Sequence, residues 1–321
     1  MADIYMHQRM ANTFIKNNQS FYDDEALKQA TIVASQGPDP LYYRIFSKQR
    51  SVAMAIGNKF HDDDTADVLT SMVRYVKHHY SKTLHAFLMG YILHYTLDVN
   101  IHPYVYHHVG VYDKNDPSTY PQRGLHLKFE RRMDKCLIEN DHHVQAHKYP
   151  LHKAVPYKRV PREITTMLDV IAREVYDING VASHYQKGYK GMRLTIKYFI
   201  NDRRGIKKRL YAFLDRFSTY RDLFFEDLSF FYKKSLRYDY LNETARTWRH
   251  PVTSEASQKS VLMLYSDALK STNIIMENVN KYLNEANEDM LESLFDNRSY
   301  NKGIDCDDER PMKDFNIFTE N

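Results

Sequence analysis

The chain has 321 residues, 43% of them hydrophobic and 27% charged, with 45 Lys and Arg against 41 Asp and Glu. That is enough apolar material for a sizeable core, and it excludes a disordered chain. Ten glycines and two distant cysteines, Cys136 and Cys306, weigh against a turn-rich β-sandwich and a Gly-rich phosphate loop, and exclude a disulfide framework or a cysteine-based zinc site.

Residues 4–17 carry apolar side chains at helical spacing. The stretch SQGPDP at 35–40 contains Gly37, Pro38 and Pro40, so it is a loop. Two further helices are predicted over 65–80 and 83–99, the second ending near His102 because Pro103 disfavours α geometry before it. A polar connection follows at 109–123, then a helix over 125–138 with Leu125, Phe129, Met133 and Leu137 at steps of four. Three prolines mark a second connection at 149–161. Phe224, Leu228, Phe231 and Leu236 predict one helical face, and Val261, Leu264, Ala268, Ile275, Val279 and Leu283 a long helix. No strict alternation with turn signals occurs, so the expected fold class is all-α. The expected organisation is a His-rich metal-binding half at 1–155, a helical half at 156–285 packed on it, and an acidic tail at 286–321 that frays from Asn301.

The most apolar run, 86–95, is about half of the ~20 residues a bilayer span requires. With no signal peptide evident, a cytoplasmic protein is expected. Charge is unevenly spread. From residue 285 onward there are 11 acids and four bases, whereas 187–209 holds nine bases, from Lys187 to Arg209, and one acid, Asp202. Such a stretch is either a solvated helix face or a contact for phosphate, nucleic acid or an anionic membrane.

Fourteen of the 16 histidines lie within residues 1–152. His94 and Asp98 stand four residues apart in an apolar helical run and so share a face. An ionised Asp there is costly unless paired or bound to metal. His126 and Glu130 repeat the spacing, and His102 can turn back towards the same place. Further candidates are Asp39 in the proline-rich loop, His61 before three acids, and His7. A His, Asp and Glu set without Cys suits zinc, and also iron, manganese or nickel. Several ions close together require a shared carboxylate, and Asp98 is placed for that role.

These residues resemble the zinc-dependent phospholipase C family, whose fold group includes zinc-dependent single-strand nucleases. The matching pieces are the first helix with His7, GPD at 37–39, FHD at 60–62, GYILHYTLD at 90–98, HP at 102–103, HLKFE at 126–130 and, more faintly, WRHP at 248–251. The resemblance implies a phospholipase C-like helical bundle with additional C-terminal helices. It implies one zinc on Asp39, His61, His94 and Asp98, and a second on His102, His126 and Glu130. A third would be shared by Asp98, His7 and the chain's N-terminus, where removal of Met1 would leave Ala2. The family places its next histidine six residues after the bridging Asp; here position 104 is Tyr, and His102 is the candidate.

The expected activity is hydrolysis of a phosphodiester, with phospholipid head groups as one substrate class, zinc-activated hydroxide as nucleophile and Asp39 as base or ligand. Two other classes fit the residues. The His61–Asp62 doublet suggests an HD-type metal phosphohydrolase, and nuclease activity is a further option within the fold group. A non-catalytic helical scaffold or membrane-surface binder would retain a structural metal site.

Overall fold

The computed structural model describes residues 4–45, 47–217, 224–232, 236–285, 290–291 and 293–319. Among them are ten α-helices: α1 (Ile4–Asn17), α2 (Glu25–Ala34), α3 (Arg50–Asp62), α4 (Thr65–His78), α5 (Lys82–Val109), α6 (Leu125–His142), α7 (Arg162–Tyr176), α8 (Val181–Leu194), α9 (Ile206–Asp215) and α10 (Val261–Glu285). The described strands are one short antiparallel pair, β1 (Trp248–Arg249) and β2 (Ala256–Ser257). The protein is all-α in class.

Helix α5 organises the core. Its sequence is apolar on every side, and every residue from 84 to 99 is buried, which requires neighbours all round. Ser81 caps it by accepting the Leu84 N–H at 3.0 Å, and Gly110 closes it at φ +68°. Helix α2 packs on one side and α10 on another. The α2 contact is close because Gly90 has no side chain: a Cβ there would lie 2.3 Å from the Thr31 carbonyl oxygen. On the α10 side, the Thr96 and Thr272 hydroxyls meet at 2.6 Å in the core. None of the described helices is long and apolar enough to cross a membrane.

Three expectations are corrected. Helix α5 does not end before Pro103 but runs through it to Val109. The residues on both sides are buried, and Gly303 from the C-terminal segment packs against the Val99 carbonyl and the Pro103 ring, so tertiary packing holds the interrupted turn. Residues 224–236 do not form a helix where described. A 3₁₀ turn covers Phe225–Leu228, capped by Asp215 carboxylate bonds to the Phe225 and Glu226 N–H groups, and 229–232 are irregular. Their rings lie under cations instead: Arg131 over Phe230, and Arg132 and Lys208 over Tyr232. Residues 233–235 lie outside the described residues.

The segment after 301 is packed rather than frayed. Asn316 and Phe318 donate backbone N–H bonds to the carbonyls of His107 and His108 at 2.7 and 2.9 Å. The Phe318 ring is buried against Phe129, Tyr238 and Tyr240.

Candidate metal centre

All eight residues singled out in the sequence meet at the middle of α5. Because α5 is continuous, His94, Asp98 and His102 follow one another at i, i+4 and i+8 along one face. Helix α1 brings His7, the loop after α2 brings Asp39, α3 brings His61, and α6 brings His126 and Glu130. His7 Nε2 lies 3.3 Å from Asp98 Oδ1, and His94 Nε2 3.3 Å from Asp98 Oδ2. His61 Nε2 lies 3.2 Å and His94 Nε2 3.9 Å from Asp39 Oδ1. His102 links the two ends, 3.9 Å from Asp98 Oδ2 and 3.5 Å from Glu130 Oε1, and His126 Nε2 is 2.9 Å from the same Glu130 oxygen.

Three groups of donor atoms fall within reach of a common ion: His7, His94 and Asp98; Asp39, His61 and His94; and His102, His126 and Glu130. Seven of the side chains are essentially buried, and only His126, at 28% exposed, opens the cluster towards solvent.

The histidine tautomers decide what the first two groups can do. His61 Nδ1 bonds the Gly57 carbonyl at 2.7 Å, and His94 Nδ1 bonds the Ser35 carbonyl at 3.1 Å. His102 Nδ1 bonds the Tyr300 carbonyl at 2.7 Å. A carbonyl only accepts, so each Nδ1 carries the proton and each Nε2 presents a lone pair. Those three Nε2 atoms and Asp39 Oδ1 are buried without a hydrogen-bond partner. Lone pairs thus face carboxylate oxygens in the core, an arrangement that a cation between them relieves. The spacing agrees: two donors about 2.0–2.1 Å from one tetrahedral ion stand roughly 3.3 Å apart.

His94 has one lone pair and can serve one ion. Asp98 has two oxygens, one facing His94 and one facing His7. The third group fits less completely, because His126 and Glu130 already share a hydrogen bond. The N-terminal amine and Ala2, expected as ligands beside His7, lie outside the described residues.

Burial shapes the electrostatics. It lowers the pKa of His7 and His94 well below the ordinary value, and that of His102 to about 3, which keeps these imidazoles neutral and able to bind metal. Burial raises Asp39. Burial would raise Glu130 too, but His126, hydrogen-bonded to it, holds it well below the usual carboxylate range.

Several supporting residues carried no clear signal in the sequence. Asp134, fully buried, accepts the Tyr5 and Met6 N–H groups at 2.7 and 3.0 Å and so fixes the first turn of α1 and the placement of His7. Gly37, at φ +48°, lies flat on the His94 ring, and a Cβ there would come within 2.2 Å of Cδ2. The Tyr185 hydroxyl donates to the Gly37 carbonyl at 3.1 Å. Gly188 and Gly191 of α8 admit the backbone that follows Asp39: added Cβ atoms would meet the Pro40 and Tyr43 carbonyls at 2.0 and 2.1 Å. That glycine pair, three residues apart on a helix, was a usable signal for close approach. Tyr300 acts through its backbone, so its identity gave none.

The other nine histidines of the first half join none of the three groups. His107 and His108, which follow His102 on α5, lie instead against the Asp314 carbonyl and the Tyr238 hydroxyl. No family model matches the chain, and no curated protein and no solved structure matches it.

Proposed function

We propose that the protein is a metal-dependent phosphodiester hydrolase of the phospholipase C type, holding two to three zinc ions. The observation that carries this is the set of buried imidazole nitrogens, their protons fixed on the far side by backbone carbonyls, aimed at Asp39 and Asp98. Ions held there would supply Lewis acidity, offsetting phosphate charge and bringing a water's pKa towards ~7.

The chain's own residues would do the rest. Asp98 would hold neighbouring ions in register through its two oxygens. Asp39 would serve as ligand, as the base that accepts a proton from water, or as both, with His61 Nε2 beside it as a ligand. His126 lies at the one opened edge, where a phosphate would enter. The complete burial of His7, His94 and Asp98 favours a structural role for the ion at that end.

The HD-type alternative assigns metal to Asp62. That carboxylate instead accepts from Ser299 Oγ at 2.6 Å and Asn301 Nδ2 at 2.8 Å, and belongs to none of the donor groups. Paired variants separate the readings. Asp98→Asn is expected to lose at least one bound ion and essentially all hydrolysis of bis(p-nitrophenyl) phosphate, while Asp62→Asn retains its metal. Metal loss in Asp62→Asn with retention in Asp98→Asn would reverse the assignment. Bound metal without turnover on any phosphodiester would leave the scaffold reading.

A further inference from the structure

Helix α9 carries an apolar stripe that nothing in the described fold covers. Ile206, Leu210, Phe213 and Leu214, with Phe217 just beyond its end, fall at i, i+4, i+7, i+8 and i+11, a span of about 100° around the helix. Ile206 is 64% and Phe217 73% exposed, and the three between them are also exposed. Of the whole helix, only Tyr211 is buried.

The inward side is fully engaged. Asp215 caps the Phe225 turn, and the Lys208 ammonium sits over Tyr232 and near Glu226. The stripe therefore cannot roll inwards without breaking these contacts.

Its edges are cationic. Arg209 and Arg216 lie along one side and Lys207 along the other, with Arg203 and Arg204 immediately before the helix. Among the described residues of the helix, no acid lies on the stripe or its borders. Exposed Leu194 and Tyr198 lie close by, since Lys207 Nζ donates to the Tyr198 carbonyl at 2.7 Å. Isolated apolar residues on a surface are ordinary, but a continuous helical stripe between two cationic borders is not.

We propose that α9 is an interfacial docking helix for an anionic lipid surface. The apolar stripe would enter the acyl boundary while Arg209 and Arg216 pair with headgroup phosphates and Lys207, held by the Tyr198 and Asn201 carbonyls, adds positive charge on the other border. Charge decides the occupant. A second copy would bring the same cations against themselves, whereas an anionic bilayer complements both the stripe and its borders. The proposal is independent of the metal centre, because its readout involves no turnover.

The test is co-sedimentation of the full chain with vesicles of phosphatidylcholine alone and of phosphatidylcholine with phosphatidylglycerol. The expected result is binding to the anionic vesicles that weakens with salt. A Phe213→Ser/Phe217→Ser variant, with unchanged far-ultraviolet circular dichroism, is expected to bind about tenfold or more weakly. Arg209→Glu/Arg216→Glu is expected to lose the preference for anionic lipid. No sedimentation of the wild type, or equal sedimentation of wild type and both variants, would overturn the proposal. So would a dimer in gel filtration that the Phe213→Ser/Phe217→Ser variant abolishes, since the stripe would then be a contact between copies.

Discussion

At the scale of single residues, the centre depends on which atom of each histidine is occupied. Ser35, Gly57 and Tyr300 offer carbonyls to Nδ1, so Nε2 of His94, His61 and His102 is left for a ligand role. Gly37 is as closely tied to His94 as any donor. Its φ of +48° is costly for other residues, and any side chain would strike the ring. Gly37→Ala is expected to lower stability by about 2 kcal/mol or more, measured by urea denaturation, and to reduce bound metal with it. A Gly37→Ala protein with wild-type metal content would show that His94 is not held by this contact. Much at this scale was legible beforehand. His94 and Asp98 interrupt an apolar run, and burying such a pair demands a partner. The carbonyl acceptors were not legible, because a backbone oxygen is the same in every residue.

At the scale of elements, the helices with one strong apolar face were readable from their spacing. Helices α1, α4, α6 and α10 appear where periodicity placed them, with ends shifted by a few residues. Two misreadings have physical causes. Pro103 ends most helices, but in α5 both faces are enclosed and Gly303 packs against the interrupted turn. The aromatic residues from 224 onward have helical spacing, yet Asp215, Asp202 and Ser229 bond this segment in ways a helix would not allow. The C-terminal segment looked solvated because its charges are plentiful; its few apolar residues do the anchoring. Phe318, buried among Phe129, Tyr238 and Tyr240, is the clearest case. Phe318→Ala is expected to cost about 3 kcal/mol in urea denaturation. A change below about 0.5 kcal/mol would mean that the segment does not stay docked in solution.

At the scale of the whole molecule, buried neutral histidines make the fold sensitive to acid. His108 stacks on Phe129 and receives the Tyr238 hydroxyl at Nδ1, and burial lowers its pKa to about 4. The unfolded chain protonates this group as pH falls below its ordinary value of about 6.5, whereas the folded chain waits until about 4. Between those values the unfolded state binds more protons, so stability is lost as pH falls through that window. On the order of 2 kcal/mol is expected to disappear between pH 7 and pH 5 through this residue, with the urea midpoint falling accordingly. His108→Gln should show a smaller fall; an identical fall would assign the acid sensitivity elsewhere. Metal at the His and Asp cluster would add about 2.7 kcal/mol for each site at a free concentration 100 times its dissociation constant, and that contribution would also fall as acid protonates the ligands.

The most direct measurement is elemental analysis of the full chain purified without chelator, alongside Asp98→Asn. Roughly two to three zinc ions per wild-type chain are expected, with at least one fewer in the variant. A wild-type protein that holds no transition metal, and takes up none on incubation with zinc, would contradict a metal centre built on His94, Asp98 and Asp39.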